Sequence, residues 1–262
     1  MKREELTNFI KFLGTAGARF VVTTQTRASG GIWISLDNVN ILLDPGPGSL
    51  VKVLSSKPKL DPKKLDAIFV SHRHIDHSND TSIMIEAMTQ GGKQKKGILI
   101  ATKDLLQEGA IYPHSLEYLS KPPVIIKENE SYEIKNIKLE TPIRHLHPVE
   151  TYGCIIENDK IKIGYIADTE FFPKLIEVYK CNIIIINVVL VEQVSGVQHL
   201  SIGDAKLIIN SIDANVFILT HFGMRMLQAK PWEIADNLAK EYNKKVIAAS
   251  DGMMFNLENL FY

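Results

Sequence analysis

The chain of 262 residues is 45% apolar and 23% charged, the balance of a globular protein with a sizeable core. Thirty basic and thirty acidic side chains cancel to a formal net charge of zero, which excludes the strongly basic footprint of a broad nucleic-acid-binding face. Two cysteines, Cys154 and Cys181, exclude a disulfide framework and an all-thiolate zinc site, and each reads as a small buried hydrophobe.

Short β-rich runs at residues 9–13, 19–24, 32–36 and 40–43 predict strands. They are separated by Gly14-Thr15-Ala16-Gly17, Ser29-Gly30-Gly31, Asp37-Asn38 and Asp44-Pro45-Gly46-Pro47-Gly48. Residues 66–70 form a further strand, and a helix is expected from Asn79 or Asp80 with Ile83, Ala87 and the neighbouring methionines facing inward. A strand at 97–101 and a short helix at 103–108 follow. The lysine run at 93–96 reads as a solvated loop, the alternative being a patch that steers an anionic substrate. Strands return at 124–127, 137–141, 153–157 and 160–166, after which strand and helix alternate, with strands at 183–186 and 215–219. Ser201 with Asp204 three residues on makes a capping-box-like helix start, with Ala205, Ile208, Ile209 and Ile212 on one apolar face. Pro231 opens a last helix whose inner face is Ala235, Leu238, Ala239 and Tyr242.

Neither a repeat at fixed period nor a linker divides the chain. Two sheets packed face to face with helices outside are expected, as a single domain over residues 1–262. The longest apolar run, residues 183–191, is broken by Asn187 and falls short of the roughly 18 residues a membrane-spanning helix needs. Met1-Lys2-Arg3-Glu4-Glu5 carries no apolar signal-peptide core, so a cytoplasmic protein with no membrane partner is expected.

The chemistry concentrates in residues 71–80, SHRHIDHSND, directly after an apolar strand. His72, His74, Asp76 and His77 offer four metal ligands within six positions, far more than a solvated polar loop requires. Four later features repeat the arrangement. His145 and His147 follow the strand at 137–141, Asp168 follows 160–166, His221 follows 215–219, and His199 precedes the Ser201 helix. Seven of eight histidines thus stand at strand ends or helix entries, where a sheet protein converges side chains on one edge; only His114 stands apart.

His72-Arg73-His74-Ile75-Asp76-His77 matches the H-x-H-x-D-H signature of the metallo-β-lactamase-fold hydrolases, and the resemblance runs from Leu13-Gly14-Thr15 to Asp251-Gly252. Within that superfamily the chain looks most like the ribonuclease Z and phosphodiesterase branch. Leu13-Gly14-Thr15-Ala16-Gly17, Ile41-Leu42-Leu43-Asp44, His147-Pro148-Val149-Glu150-Thr151-Tyr152-Gly153, Gln198-His199-Leu200-Ser201 and Leu219-Thr220-His221-Phe222 resemble that branch's further motifs. The resemblance implies an α+β fold, a four-layer αββα sandwich, with two divalent metal ions at one edge.

Carried onto this chain, it implies that His72, His74 and His147 hold the first ion. Asp76, His77 and His221 hold the second, and Asp168 bridges both. Histidine-rich ligation without cysteine favours zinc, with manganese or iron as alternatives. His145 competes with His147, and the spacing to Tyr152-Gly153 favours His147 as the ligand and His145 as a supporting or structural group. Asp44 either orients a ligand histidine by a hydrogen bond or forms a turn before Pro45. His199 resembles the branch's general acid, the alternative being a helix-entry histidine. Arg27 and Arg225 could grip a phosphate or stand as surface arginines.

Ribonuclease Z grips transfer RNA with an arm inserted between the third histidine and the bridging aspartate. Here those positions, His147 and Asp168, are only 21 apart, and Asn187-Val188 stands where arm-bearing relatives carry a His-Glu pair. The expected activity is therefore hydrolysis of a small, cyclic or RNA-derived phosphodiester through a metal-bound hydroxide, with Asp76 and His199 as the catalytic residues and transfer RNA disfavoured. Alternatives are a lactone, thioester or β-lactam hydrolase on the same site, or a non-catalytic metal-binding interaction module. A homo-oligomer remains compatible with every reading.

Overall fold

Two seven-stranded sheets face each other across an apolar core. The structure, a computed structural model, describes residues 7–108 and 111–260, so the stretch Met1 to Glu5 lies outside the described residues. The first sheet grows from β1 (Phe9–Phe12), followed by helix α1 (Ala18–Thr24) and the hairpin of β2 (Ile32–Leu36) and β3 (Val39–Leu43). Asp37 and Asn38 turn that hairpin with φ of 49° and 62°, the left-handed pair that a two-residue turn needs to match strand twist. Helix α2 (Ser49–Ser55) leads to β4 (Ala67–Val70), a one-turn helix α3 (Ile75–Ser78), α4 (Thr81–Thr89), β5 (Ile98–Ala101), α5 (Lys103–Gln107), α6 (Pro113–Leu116) and β6 (Val124–Ile125). Strands β3 to β6 run parallel.

The second sheet starts with the antiparallel strands β7 (Glu130–Ile134), β8 (Ile137–Thr141), β9 (Cys154–Glu157) and β10 (Lys162–Ile166). It continues in parallel through α7 (Lys174–Val178), β11 (Ile183–Asn187), α8 (Ile202–Ser211), β12 (Val216–Thr220), α9 (Met224–Gln228), α10 (Pro231–Tyr242) and β13 (Lys245–Ala248). The last strand, β14 (Met254–Asn256), returns to the first sheet and pairs antiparallel with β1.

Burial explains the layering. Ile10, Phe12, Ile34, Ile41 and Phe69 meet Leu139, Ile156, Ile163, Ile185 and Ile218 between the sheets. Alternate residues face outward: Trp33, Leu42, Ile68 and Leu99 pack on Val53 of α2 and on Met84, Ile85 and Met88 of α4. On the opposite outer face Ile184, Ile186 and Phe217 pack on Ala205, Ile208 and Ile209 of α8 and on Ala235 and Leu238 of α10. The four consecutive isoleucines of β11 are the sequence mark of a strand covered on both faces, each worth roughly 1.5–3 kcal/mol of burial. This is the expected αββα sandwich. The capping box at Ser201 is present, with Ser201 Oγ accepting from the Asp204 amide and Asp204 Oδ2 accepting from the Ser201 amide. Cys154 and Cys181 are both free and buried, and burial pushes the Cys181 thiol up to about 12.

Two local expectations fail. Residues 19–24 form helix α1 rather than a strand, because adjacent Val21 and Val22 are both buried while Phe20 and Thr23 on either side are exposed. That one-sided burial fits a helix turn and not strand alternation, so packing overrides the β-branched composition. In α4 the methionines Met84 and Met88 face the core as expected, but Ile83 points to solvent at 44% exposure and Ile85 is buried in its place. The lysine run at 93–96 lies in the turn before β5, at the end of the sheet away from the histidines. No helix of the described residues is long and apolar enough to cross a membrane.

Candidate metal centre

Strands β4, β8, β10 and β12 end at the same edge of the sandwich, each running directly into ligand-type residues. The first group is three imidazoles. His72 Nε2 lies 3.1 Å from His74 Nδ1, which lies 3.2 Å from His147 Nε2. Two of them are engaged on the far side: His147 Nδ1 donates to the Gln198 carbonyl at 3.0 Å, and His72 Nδ1 pairs with Ser71 Oγ at 2.9 Å. With the His147 and His72 protons placed outward, their Nε2 atoms turn lone pairs to the centre, beside His74 Nδ1. Burial above all holds His72 well below the ordinary histidine value, and lowers His74 and His147 in the same way. Neutral rings are the state that binds a cation.

The second group is richer in carboxylate. His77 Nε2 lies 3.7 Å from Asp76 Oδ2 and 3.5 Å from Asp168 Oδ2; His221 Nε2 lies 3.7 Å from Asp76 Oδ2 and 3.3 Å from Asp168 Oδ1. His199 Nδ1 approaches Asp168 Oδ2 at 3.5 Å from the rim. Burial alone would depress His77 and raise Asp168, but their mutual attraction wins: surrounding carboxylates push His77 well up, and the three imidazoles hold Asp168 well down.

Do these residues fit metal ions? His77 Nε2, His221 Nε2 and His199 Nδ1 are buried without a hydrogen-bond partner, an expensive arrangement for a polar atom. Tetrahedral ligation by nitrogen and oxygen at about 2.0–2.1 Å separates ligand atoms by about 3.3–3.4 Å, close to the spacings seen here. His72, His74 and His147 form one compact ligand set, Asp76, His77 and His221 another, and His72, His77 and Asp168 join the two. The donor set suits divalent first-row cations.

A buried network aims these groups. Asp44 Oδ2 accepts from His77 Nδ1 at 2.8 Å, Ser71 Oγ at 2.7 Å and Tyr165 Oη at 2.6 Å, and its Oδ1 accepts from the Ser71 amide at 2.7 Å. Asn187 Nδ2 donates to Asp168 Oδ1 at 2.8 Å and to Tyr165 Oη at 3.2 Å. Each proton placed this way leaves the opposite ring nitrogen or carboxylate oxygen turned to the centre. Of the two readings of Asp44, the structure shows it hydrogen-bonded to His77. The sequence assigns Ser71 and Tyr165 no role, and Asn187 stands out there only as a break in an apolar run and a departure from a family pattern. The one usable signal was that Asn187 interrupts an apolar run.

Backbone approach also matters. His221 sits in the left-handed region at φ 60°, a position that costs a non-glycine residue of order 1–3 kcal/mol. It is clamped by the glycine turn: Gly17 N–H donates to the Phe222 carbonyl, the Phe222 amide donates to the Thr15 carbonyl, and a Cβ on Gly17 would lie 2.2 Å from the His221 oxygen. Gly46 lets the Asp44 loop approach α3, where a Cβ would lie 1.9 Å from the Asp76 carbonyl oxygen.

The remaining predicted residues fall elsewhere. His145 is buried against Tyr179, with 2.9 Å between Nε2 and Oη, and burial pushes it down to about 4; it belongs to neither ligand group. Arg225 is exposed on α9 and Arg27 half-buried after α1, and neither contacts a site residue by hydrogen bond or ion pair among the described residues. His114 is exposed, beside Glu117 and Tyr118.

The metallo-β-lactamase-fold protein YhfI from Bacillus subtilis superposes with a TM-score of 0.76 at 18% identity, covering 94% of this chain and 98% of that one, which shows the fold. A family model for the β-lactamase superfamily domain matches residues 39–222, and the chain therefore belongs to that superfamily. An uncharacterized protein of Methanocaldococcus jannaschii is 30% identical over 258 residues, 95% of each chain. Ribonuclease Z of Sulfolobus acidocaldarius is 30% identical over 155 residues, 59% of this chain and 50% of that protein.

Proposed function

We propose that the chain is a two-metal phosphodiesterase acting, as one domain, on a small, cyclic or RNA-derived diester. The observation that carries this reading is the convergence of seven ligand side chains in two groups sharing Asp168, with His199 beside them. His72, His74 and His147 would hold one divalent ion and Asp76, His77 and His221 the other, with Asp168 between them. Zinc suits the ligands best, and manganese or iron fit them too. Such ions lower the pKa of a water and offset charge on phosphoryl oxygens.

The protein's own groups do the rest. Asp76 and Asp168 supply the negative charge that keeps the centre cationic-selective. Asp44, Tyr165 and Asn187 fix the ring and carboxylate orientations, so little reorganisation is left for the reaction. His199, 20% exposed at the rim, delivers a proton to the leaving alkoxide oxygen. Between His147 and Asp168 lie a short loop and the β9–β10 hairpin, with no inserted arm to grip an RNA, which favours a small diester over transfer RNA. The name of the Sulfolobus relative keeps an RNA-derived substrate in the class.

His199→Ala tests the assignment. Loss of the proton donor should cost about 10²–10⁴-fold on a diester with an alkyl leaving group, while metal content and much of the turnover of bis-nitrophenyl phosphate survive. Equal loss on both substrates would deny His199 that role. A fully metallated protein that hydrolyses lactones or thioesters and no diester would overturn the substrate class.

A further inference from the structure

We propose that a second pocket, between β1, α2 and the turn before β14, binds an oxyanion of the phosphate class. Its volume is about 270 Å³, room for a phosphate or the phosphate end of an ester, and Lys11, Lys52, Lys57 and Asp251 line it. Lys11 is 3% exposed, although a lysine is almost never so buried unless paired. Its Nζ donates to the carbonyls of Lys57 at 2.9 Å and Gly252 at 2.6 Å, two of an ammonium's three protons. No carboxylate among the described residues lies within ion-pair distance of Lys11, Lys52 or Lys57. The acid in the lining is already committed: Asp251 Oδ1 accepts from Thr15 Oγ1 and Oδ2 from the Ala28 amide, both at 2.7 Å.

Three cations therefore face one occupied carboxylate around a concave surface, one of them buried without a counterion. Burial lowers the Lys11 pKa, the mark of a charge held at a cost that an anion would remove. Lysine is a point-charge binder of phosphate and needs no bidentate geometry. The pocket is separate from the histidine site, yet Thr15, held by Asp251, also lines the cavity next to His77 and His221.

The test titrates inorganic phosphate into the metallated protein while following the backbone amides of Lys57 and Gly252 by NMR. Those amides should shift saturably. The Lys52→Ala/Lys57→Ala variant, altered only at exposed side chains, should bind about tenfold or more weakly with unchanged diester turnover. Lys59→Ala, a neighbouring exposed lysine outside the lining, should titrate like the unaltered protein. Parallel titrations with a nucleoside 5′-monophosphate and a short oligonucleotide tell whether free phosphate, a monoester or a polynucleotide backbone binds most tightly, and any of the three supports the site. Equal affinity in the double variant, or shifts confined to residues around the histidines, would overturn it. Lys11→Met probes the buried charge directly, and if it fails to fold the double variant still decides.

Discussion

The two halves of the metal centre are built on different principles. The imidazole half, His72, His74 and His147, carries no charge of its own and is tuned by burial; its far-side partners are a serine hydroxyl and a backbone carbonyl. The carboxylate half, Asp76, His77, His221 and Asp168, is deeply charged and set by a network that spans both sheets, and it includes a histidine in the left-handed region. The first half draws on two loops, those after β4 and β8, one from each sheet. The second gathers ligands from α3 and from the ends of β10 and β12 and leans on Asp44 and Tyr165 besides, and the difference predicts which half fails first under perturbation.

The largest effect should come from the residue the halves share. Asp168→Ala should weaken metal binding at both positions by more than the 10–100-fold typical of an outer hydrogen-bond partner, and elemental analysis should fall from about two ions per chain toward none. An ion retained at full affinity in either half would show that the halves are independent. Next, His147→Ala should empty the imidazole half and abolish nearly all activity, whereas His145→Ala should cost at most about 10–100-fold. The reverse order would assign the ligand role to the wrong histidine.

A smaller effect separates the halves by backbone packing. Gly46→Ala drives a methyl into the Asp76 carbonyl, an overpacking worth about 1–3 kcal/mol, so the melting temperature should drop by several degrees. Chelator titration should then remove metal from the carboxylate half first. Simultaneous loss from both halves would erase the distinction. Smallest of all, Tyr165→Phe deletes the hydroxyl's bond to Asp44, which keeps its other donors, and its bond from Asn187, which keeps Asp168. It should lower stability by about 0.5–1.5 kcal/mol and speed metal release without changing stoichiometry; a lost ion would make Tyr165 indispensable to the site.

Much of this is legible in the sequence. The histidine cluster, the strand-end aspartate and the late histidines announce themselves because ligand chemistry uses few residue types at tight spacing. The layered fold follows from apolar runs such as that of β11. What stayed hidden lies between elements distant in sequence. Tyr165 reads as one more β-former until Asp44, 121 positions away, is seen against its hydroxyl. Helix α1 is hidden because Val21, Val22, Thr23 and Thr24 have the composition of a strand, and only the packing of two adjacent valines reveals the turn. In α4 the sequence places Met84 and Met88 correctly in the core, and only the isoleucines are exchanged, with Ile85 buried and Ile83 exposed.

The pairing of β1 with β14 has a kinetic consequence. Phe9 lies opposite Asn256, and the Leu257 amide donates to the Asn8 carbonyl, so one border of the first sheet is completed by residues from the far end of the described chain. During synthesis that border stays open until the final strand emerges, leaving the β1 edge with unpaired backbone groups beside Phe9, Ile10 and Phe12 in the meantime. Contacts of such long range carry a high loop-closure entropy and make for slow folding.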